Sequence, residues 1–121
     1  MRLATRLSVL YAFVALAPCY PRLALSQKGA SQQSAPDLMI QYGCPTCHVV
    51  PNVPGAVGKV GPSLQSLSQR SYLAGSLPNT PHNLIQWIMH PQHFQPGTAM
   101  PEMGVTEQDA HRMAAFLNSS R

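Results

Sequence analysis

Cys44-Pro45-Thr46-Cys47-His48 is the stretch of this 121-residue chain that carries the most chemistry. Two residues three apart on one helical turn present their side chains along the same edge. Both thiols can therefore meet one partner, while His48, next to Cys47, turns its imidazole towards that partner's centre. Cys-x-x-Cys-His at this spacing is the attachment sequence for c-type haem: the thiols add to two vinyl groups and the imidazole binds the iron. Other uses of paired cysteines fit less well. A redox-active dithiol leaves His48 unexplained and belongs with a βαβ pattern that this sequence lacks, and a zinc site needs two further ligands that the cysteines do not supply. A single structural disulfide, an ordinary use of two cysteines in an exported protein, is displaced by the same motif.

The segment ahead of the motif reads as a leader. Arg2 and Arg6 form a positive start, Leu7 to Ala17 is an apolar run of eleven residues, and Pro18, Pro21 and Arg22 interrupt it. Eleven residues are too few to cross a bilayer core, which points to a secretory signal. The small-x-small site Ala24-Leu25-Ser26 predicts cleavage before Gln27. Residues 1–26 are thus expected to be a signal peptide, and the mature protein to be periplasmic with no transmembrane segment. Leu16-Ala17-Pro18-Cys19 is similar to a lipoprotein box, but Pro18 stands where a small Gly, Ala or Ser belongs, so lipid anchoring at Cys19 is the lesser alternative.

Losing the leader lowers the formal charge from +4 to about +1, with Lys28, Lys59, Arg70, Arg112 and Arg121 facing Asp37, Glu102, Glu107 and Asp109. The basic balance reports targeting and gives no case for a nucleic-acid partner. Tyr42, Tyr72, Trp87, Phe94 and Phe116 are a thin aromatic supply for such a domain. A chain with so little large apolar volume is marginal unless something else fills its centre, and a haem would.

Residues 27–34, polar, small and aperiodic, are expected to be a disordered lead-in, and residues 35–121 to form the domain. Pro36 and Asp37 suit a first turn, and Leu38, Ile40 and Tyr42 carry a short helix to Gly43. Val49 to Pro62 holds three Pro and three Gly and must wrap as a loop. Leu64, Leu67, Tyr72 and Leu73 suggest a short, broken helical segment ended by Gly75 and Pro78. Thr80-Pro81 is a helix start, with Leu84, Ile85 and Ile88 on one face before Pro91 and Trp87 beside it. After an irregular stretch from Pro91 to Val105, Thr106-Glu107-Gln108-Asp109 resembles a capping box with Asp in place of Glu. Ala110, Met113, Ala114 and Leu117 follow at helical spacing. Strand-like alternation of useful length and internal repeats are both missing. The fold class expected is all-α: three to four short helices and long loops wrapped around one covalently attached haem.

The other side of the iron needs a ligand or an open position. Candidates are Met39, Met89, Met100, Met103 and Met113, with His82, His90, His93 and His111. Met113 belongs to the core face of the last helix, and Met39 is too near the attachment turn to reach the second haem face. The histidines fall on helix ends or polar faces, where solvation is the ordinary state. Met100 stands in Gln95-Pro-Gly-Thr-Ala-Met-Pro101, whose prolines favour an extended backbone that aims its side chain. A soft thioether suits iron that stays ligated in both oxidation states. A methionine merely packed in a loop is the alternative, weaker beside the haem motif.

Taken in order, Cys44-Pro-Thr-Cys-His48, Gly61-Pro-Ser-Leu64, Arg70, Leu84-Ile-Gln-Trp-Ile-Met-His-Pro91, Pro96-Gly-Thr-Ala-Met-Pro101 and Ala115-Phe-Leu117 give a resemblance to a known family. From about Ala35 to Arg121 the chain resembles the class I c-type cytochromes, the small group that includes mitochondrial cytochrome c. The resemblance implies the cytochrome c fold and electron transfer. It also implies that the Pro62 carbonyl accepts a hydrogen bond from the His48 imidazole, a contact that fixes a ligand's tautomer and basicity. By the same resemblance Arg70 and Thr98 would lie near the haem propionates, and Trp87 would occupy an aromatic position against the haem on the Met100 side. Two departures matter. Pro36 stands where many relatives have Gly at the crossing of the first and last helices, which predicts a wider crossing or a shorter first helix. The lysine ring around the haem edge of the mitochondrial protein is missing, so docking is expected to lean on apolar contact by the Val49 to Val57 loop more than on steering.

The function expected is one-electron transfer in the periplasm by a single haem c with His48 and Met100 as axial ligands. The protein would be no enzyme but a carrier or an electron-entry subunit, monomeric or part of a complex. Its partners would be redox proteins: a dehydrogenase, an oxidase or a reductase. A haem peroxidase-like enzyme would need an open position with acid–base side chains above the iron. A redox or gas sensor would need a ligand that leaves and usually an attached output domain, for which there is no room.

Overall fold

The computed structural model describes residues 33–120. The expected signal peptide, Cys19 and most of the expected lead-in lie outside the described residues. Ser34 opens the first helix, α1 (Ala35–Gln41). Its hydroxyl oxygen accepts from the Asp37 N–H at 3.4 Å and its O–H donates to the Asp37 carboxylate at 2.6 Å. Pro36 sits in the first turn, where a missing N–H is harmless. The helix buries Leu38 and Met39 and ends at Tyr42. Gly43, at φ +75°, then lets the chain reverse at once into α2 (Cys44–Cys47), a single turn.

No helix forms from residue 48 to residue 66. The loop is held by an antiparallel bridge between Val49 and Val57 and by the Leu64 N–H, which donates to the Val49 carbonyl at 2.8 Å. Val50, Val53 and Ala56 turn inward and join the core, whereas Val57 and Val60 are exposed. The apolar surface expected of the whole Val49 to Val57 loop thus narrows and shifts to Val57 and Val60.

The next segment differs from expectation. In place of a broken helix there is one 3-10 turn, Leu67–Gln69, then an antiparallel pair, β1 (Tyr72–Leu73) and β2 (Leu77–Pro78), with Tyr72 opposite Pro78 and Leu73 opposite Leu77. The cause is local. Ser66 at φ +52° and an extended Arg70 bound the turn. The Asn79 side-chain amide donates to the carbonyls of Leu67 at 2.8 Å and Arg70 at 2.9 Å, occupying acceptors that a continuing helix would use. Ala74 and Gly75 reverse the chain at φ +47° and +85°, with the Ser76 N–H donating to Leu73 O at 3.1 Å, the pattern of a type I′ turn.

The helix start at Thr80 behaves as its sequence predicts. In α3 (Pro81–Met89) the Thr80 hydroxyl accepts from the Asn83 N–H at 3.1 Å, and Leu84, Ile85 and Ile88 are buried. Pro91 then begins α4 (Pro91–Phe94), one turn within a stretch expected to be irregular. Pro91 is fully buried, and Glu102 Oε1 accepts from the Gln92 N–H at 3.2 Å.

The longest helix, α5 (Glu107–Ser119), starts at Thr106, whose hydroxyl oxygen accepts from the Asp109 N–H at 3.2 Å. The Asp109 carboxylate accepts in return from the Thr106 hydroxyl and from the Tyr42 hydroxyl, each at 2.9 Å, which ties α1 to α5. α5 packs against both α1 and α3, with Ala110, Met113, Ala114 and Leu117 buried. α1 packs against α5 with Pro36 in its first turn.

The architecture is all-α with one minor hairpin. Five α-helices stand among the described residues against three to four expected, the surplus being the single-turn α2 and α4. None of the described helices is long and apolar enough to cross a membrane.

Candidate functional site

Two hydrogen bonds wind α2 into one turn: Thr46 N–H to Gly43 O at 3.1 Å and His48 N–H to Cys44 O at 3.0 Å. Cys44 and Cys47, three apart on that turn, are free and half-buried. Burial pushes the Cys44 thiol above its ordinary pKa, a backbone hydrogen bond pulls it back, and Cys47 beside it adds a lesser push.

At His48 the backbone becomes extended (φ −119°, ψ 147°), so the imidazole leaves the line of the turn. Its Nδ1 stands 2.7 Å from Pro62 O. A carbonyl can only accept, so Nδ1 is the donor in this bond and Nε2 is the ring nitrogen it leaves unengaged. The loop that supplies Pro62 is pressed onto α2 at two glycines. The Gly61 N–H donates to Cys47 O at 2.8 Å, and a Cβ on Gly61 would overlap the His48 ring. A Cβ on Gly58 would stand 2.5 Å from the Cys47 carbonyl carbon and 2.6 Å from the His48 nitrogen. Real side chains do not tolerate such distances. Gly58 and Gly61 were visible in the sequence as loop composition and as part of a motif, but nothing there said what they approach.

A second assembly surrounds Met100. Gln95-Pro-Gly-Thr98 closes on itself, with the Thr98 N–H donating to Gln95 O at 3.0 Å and Gly97 at φ +81°, the Pro-Gly order of a type II turn. Gln92 reaches across from α4. Its Nε2 donates to the carbonyls of Thr98 and Met100, both at 2.8 Å, and its Oε1 accepts from the Gly97 N–H at 3.1 Å. No sequence signal marks Gln92, because its partners are main-chain atoms that any residue would supply.

Both assemblies line one cavity of about 770 Å³ with mainly apolar walls. All eight residues singled out from the sequence face it: Cys44, Cys47, His48 and Pro62 from the attachment side, then Arg70, Trp87, Thr98 and Met100. The Arg70 guanidinium also donates to the Ser63 carbonyl. Met39, Met103 and Met113 line the cavity as well, and Met89 does not. His82, His90, His93 and His111 are exposed and lie outside it. Met103 sits low, near the attachment turn, where a Cβ on Gly43 would be 3.7 Å from its Cε. Among the described residues no group of three or more His, Cys, Asp or Glu could hold a metal ion unaided.

A covalently held haem fits this site. The volume lies within the roughly 300–1,000 Å³ of cofactor pockets. Two thiols share one edge, an imidazole held through Nδ1 leaves Nε2 unengaged, and a glycine stands where any side chain would displace the ring. Fold and site thus define a small helical protein closed around one tethered prosthetic group. Residues 32–121 match the cytochrome c family, and the chain belongs to that family. Its cofactor is haem c, attached through Cys44 and Cys47, and its general activity is haem-based electron transfer. Comparison with curated proteins and with solved structures gives no match.

Proposed function

We propose that the mature protein is an exported, periplasmic one-electron carrier or electron-entry subunit with His48 and Met100 as the axial pair. When bound, the haem supplies the one-electron iron couple. The chain's part is to hold it, exclude water and set its potential. The observation that carries the reading is the distribution of candidate ligands. Histidines other than His48 are exposed and outside the cavity, Met39 and Met113 are each 1% exposed within helix packing faces, and Met103 lies by the attachment turn. Met100 alone combines a place in the cavity with a backbone fixed from outside its own loop. His/Met ligation raises the potential relative to other axial pairs, and apolar walls raise it further by disfavouring the extra positive charge of the ferric state. Through its Nδ1–H bond to Pro62, His48 stays oriented and basic. Arg70 and Thr98 are assigned to the propionates, and Trp87 to packing against the ring on the Met100 side.

A carrier is favoured over a peroxidase-like enzyme because Met100 lines the cavity, whereas peroxidase chemistry would need an open position with acid–base side chains above the iron. Redox partners, a dehydrogenase, oxidase or reductase, would meet the exposed Val57 and Val60, which are 73% and 71% exposed beside the attachment turn. Export rests on the leader, and the intact mass of the periplasmic holoprotein tests it: a mass including a diacylated Cys19 would replace the free carrier by a tethered one.

The axial reading is tested by the ferric spectrum. Met100→Ala is expected to abolish the weak far-red charge-transfer band of a Met–iron bond, lower the potential and open the ferrous protein to carbon monoxide. Met103→Ala is expected to change little. Loss of the band in the Met103 variant alone would sink the assignment, and so would an unchanged spectrum in both variants.

A further inference from the structure

We propose that Gln92 is a positioning residue that holds Met100 at the iron, an inference that rests on Met100 as the axial ligand. The residues from 95 to 101 are joined to the rest of the chain at few points. Among the described residues, the hydrogen bonds that do so are the Gln95 N–H to Pro91 O at 3.0 Å, at the root of the loop, and those of the Gln92 side chain. One amide thus gathers the loop. Its two N–H groups go to the carbonyls on either side of Ala99, those of Thr98 and Met100, and its oxygen takes the Gly97 N–H. The Gln92 backbone N–H is bound in turn by Glu102, beyond Met100, so that bonds from Gly97 to Glu102 converge on one residue. That residue is itself fixed, because its neighbour Pro91 is fully buried.

The chemistry is particular to a glutamine. A carboxylate of the same length can accept from Gly97 but has no donor for the two carbonyls. An alanine has neither. Losing both donors leaves the Met100 carbonyl unbound and the backbone that carries the thioether free to swing away. The quantity Gln92 controls is therefore how often the sulfur leaves the iron.

Displacement of the ferric ligand by imidazole reads this directly. Gln92→Ala is expected to speed imidazole binding about tenfold or more, from the loss of three neutral hydrogen bonds, with covalent haem retained. Gln92→Glu, which keeps side-chain volume and the Gly97 acceptor, carries the test if the alanine variant does not accumulate, and should move in the same direction. Asn83→Ala removes a bond to Pro78 O on the far side of α3 and serves as a general destabilisation control. It should shift the denaturant midpoint without changing the imidazole rate. Wild-type rates in both Gln92 variants, or an equal acceleration in the Asn83 variant, would overturn the proposal. Met100→Ala measured alongside separates the two ideas. If it keeps the far-red band, the axial reading fails and the Gln92 role with it. If it loses the band while the Gln92 variants exchange at the wild-type rate, only the Gln92 role fails.

Discussion

On the His48 side of the cavity backbone lies against backbone, with Gly58 and Gly61 leaving no space for a single added carbon beside Cys47 and the imidazole. On the Met100 side the loop is tied to α4 by one side-chain amide and a bond at its root, and its own glycine, Gly97, faces open space. The first arrangement is fixed by excluded volume and covalent bonds, the second by hydrogen bonds that can be broken one at a time. One wall of the cavity is thereby built to be rigid and the other to be adjustable.

The largest effect should come from removing the covalent anchor. With Cys44→Ala or Cys47→Ala, stable holoprotein is expected to be largely lost, because the haem supplies volume that the sparse aromatic residues do not. Haem-stained denaturing gels of cell extract give the readout. Full-strength covalent staining with both cysteines replaced would break the assignment outright.

Two glycine-to-alanine changes sharpen the contrast further. Gly61→Ala must push the His48 ring off its Pro62 bond, and a steep fall in holoprotein yield with an altered spectrum is expected. An unaltered spectrum at wild-type yield would show that the loop gives way and that the side is less rigid than drawn. Gly97→Ala introduces no clash and is expected to cost only about 1–2 kcal/mol, the penalty of a left-handed φ on a residue with a Cβ. Denaturant unfolding of the holoprotein measures it, and a loss as large as that of Gly61→Ala would erase the distinction between the two sides.

What was legible in the sequence follows from how local each cause is. The attachment turn could be read because its chemistry fixes both residue types and spacing within five positions. The starts of α3 and α5 were legible for the same reason, since Thr80 and Thr106 bind N–H groups three residues on. The Leu67 to Pro78 region was not. Its path depends on Ser66 and Ala74 in left-handed conformations that neither residue type announces, and on Asn79 reaching carbonyls nine and twelve residues away. α4 escaped notice because one turn has no periodicity to detect. Gly58, Gly61 and Gln92 were present to the eye, but their meaning lies in which distant backbone they meet.

Tyr42 and Asp109 stand 67 residues apart, and the bond between them closes most of the described chain into a ring. Closing a loop of that length costs about 4 kcal/mol of chain entropy beyond a fixed constant, whereas the bonds that wind α2 span only three or four residues. Short-range contacts form before long-range ones. The attachment turn is thus local in its bonding, whereas docking of α5, which lends Met113 and Leu117 to the cavity wall, must close the long loop.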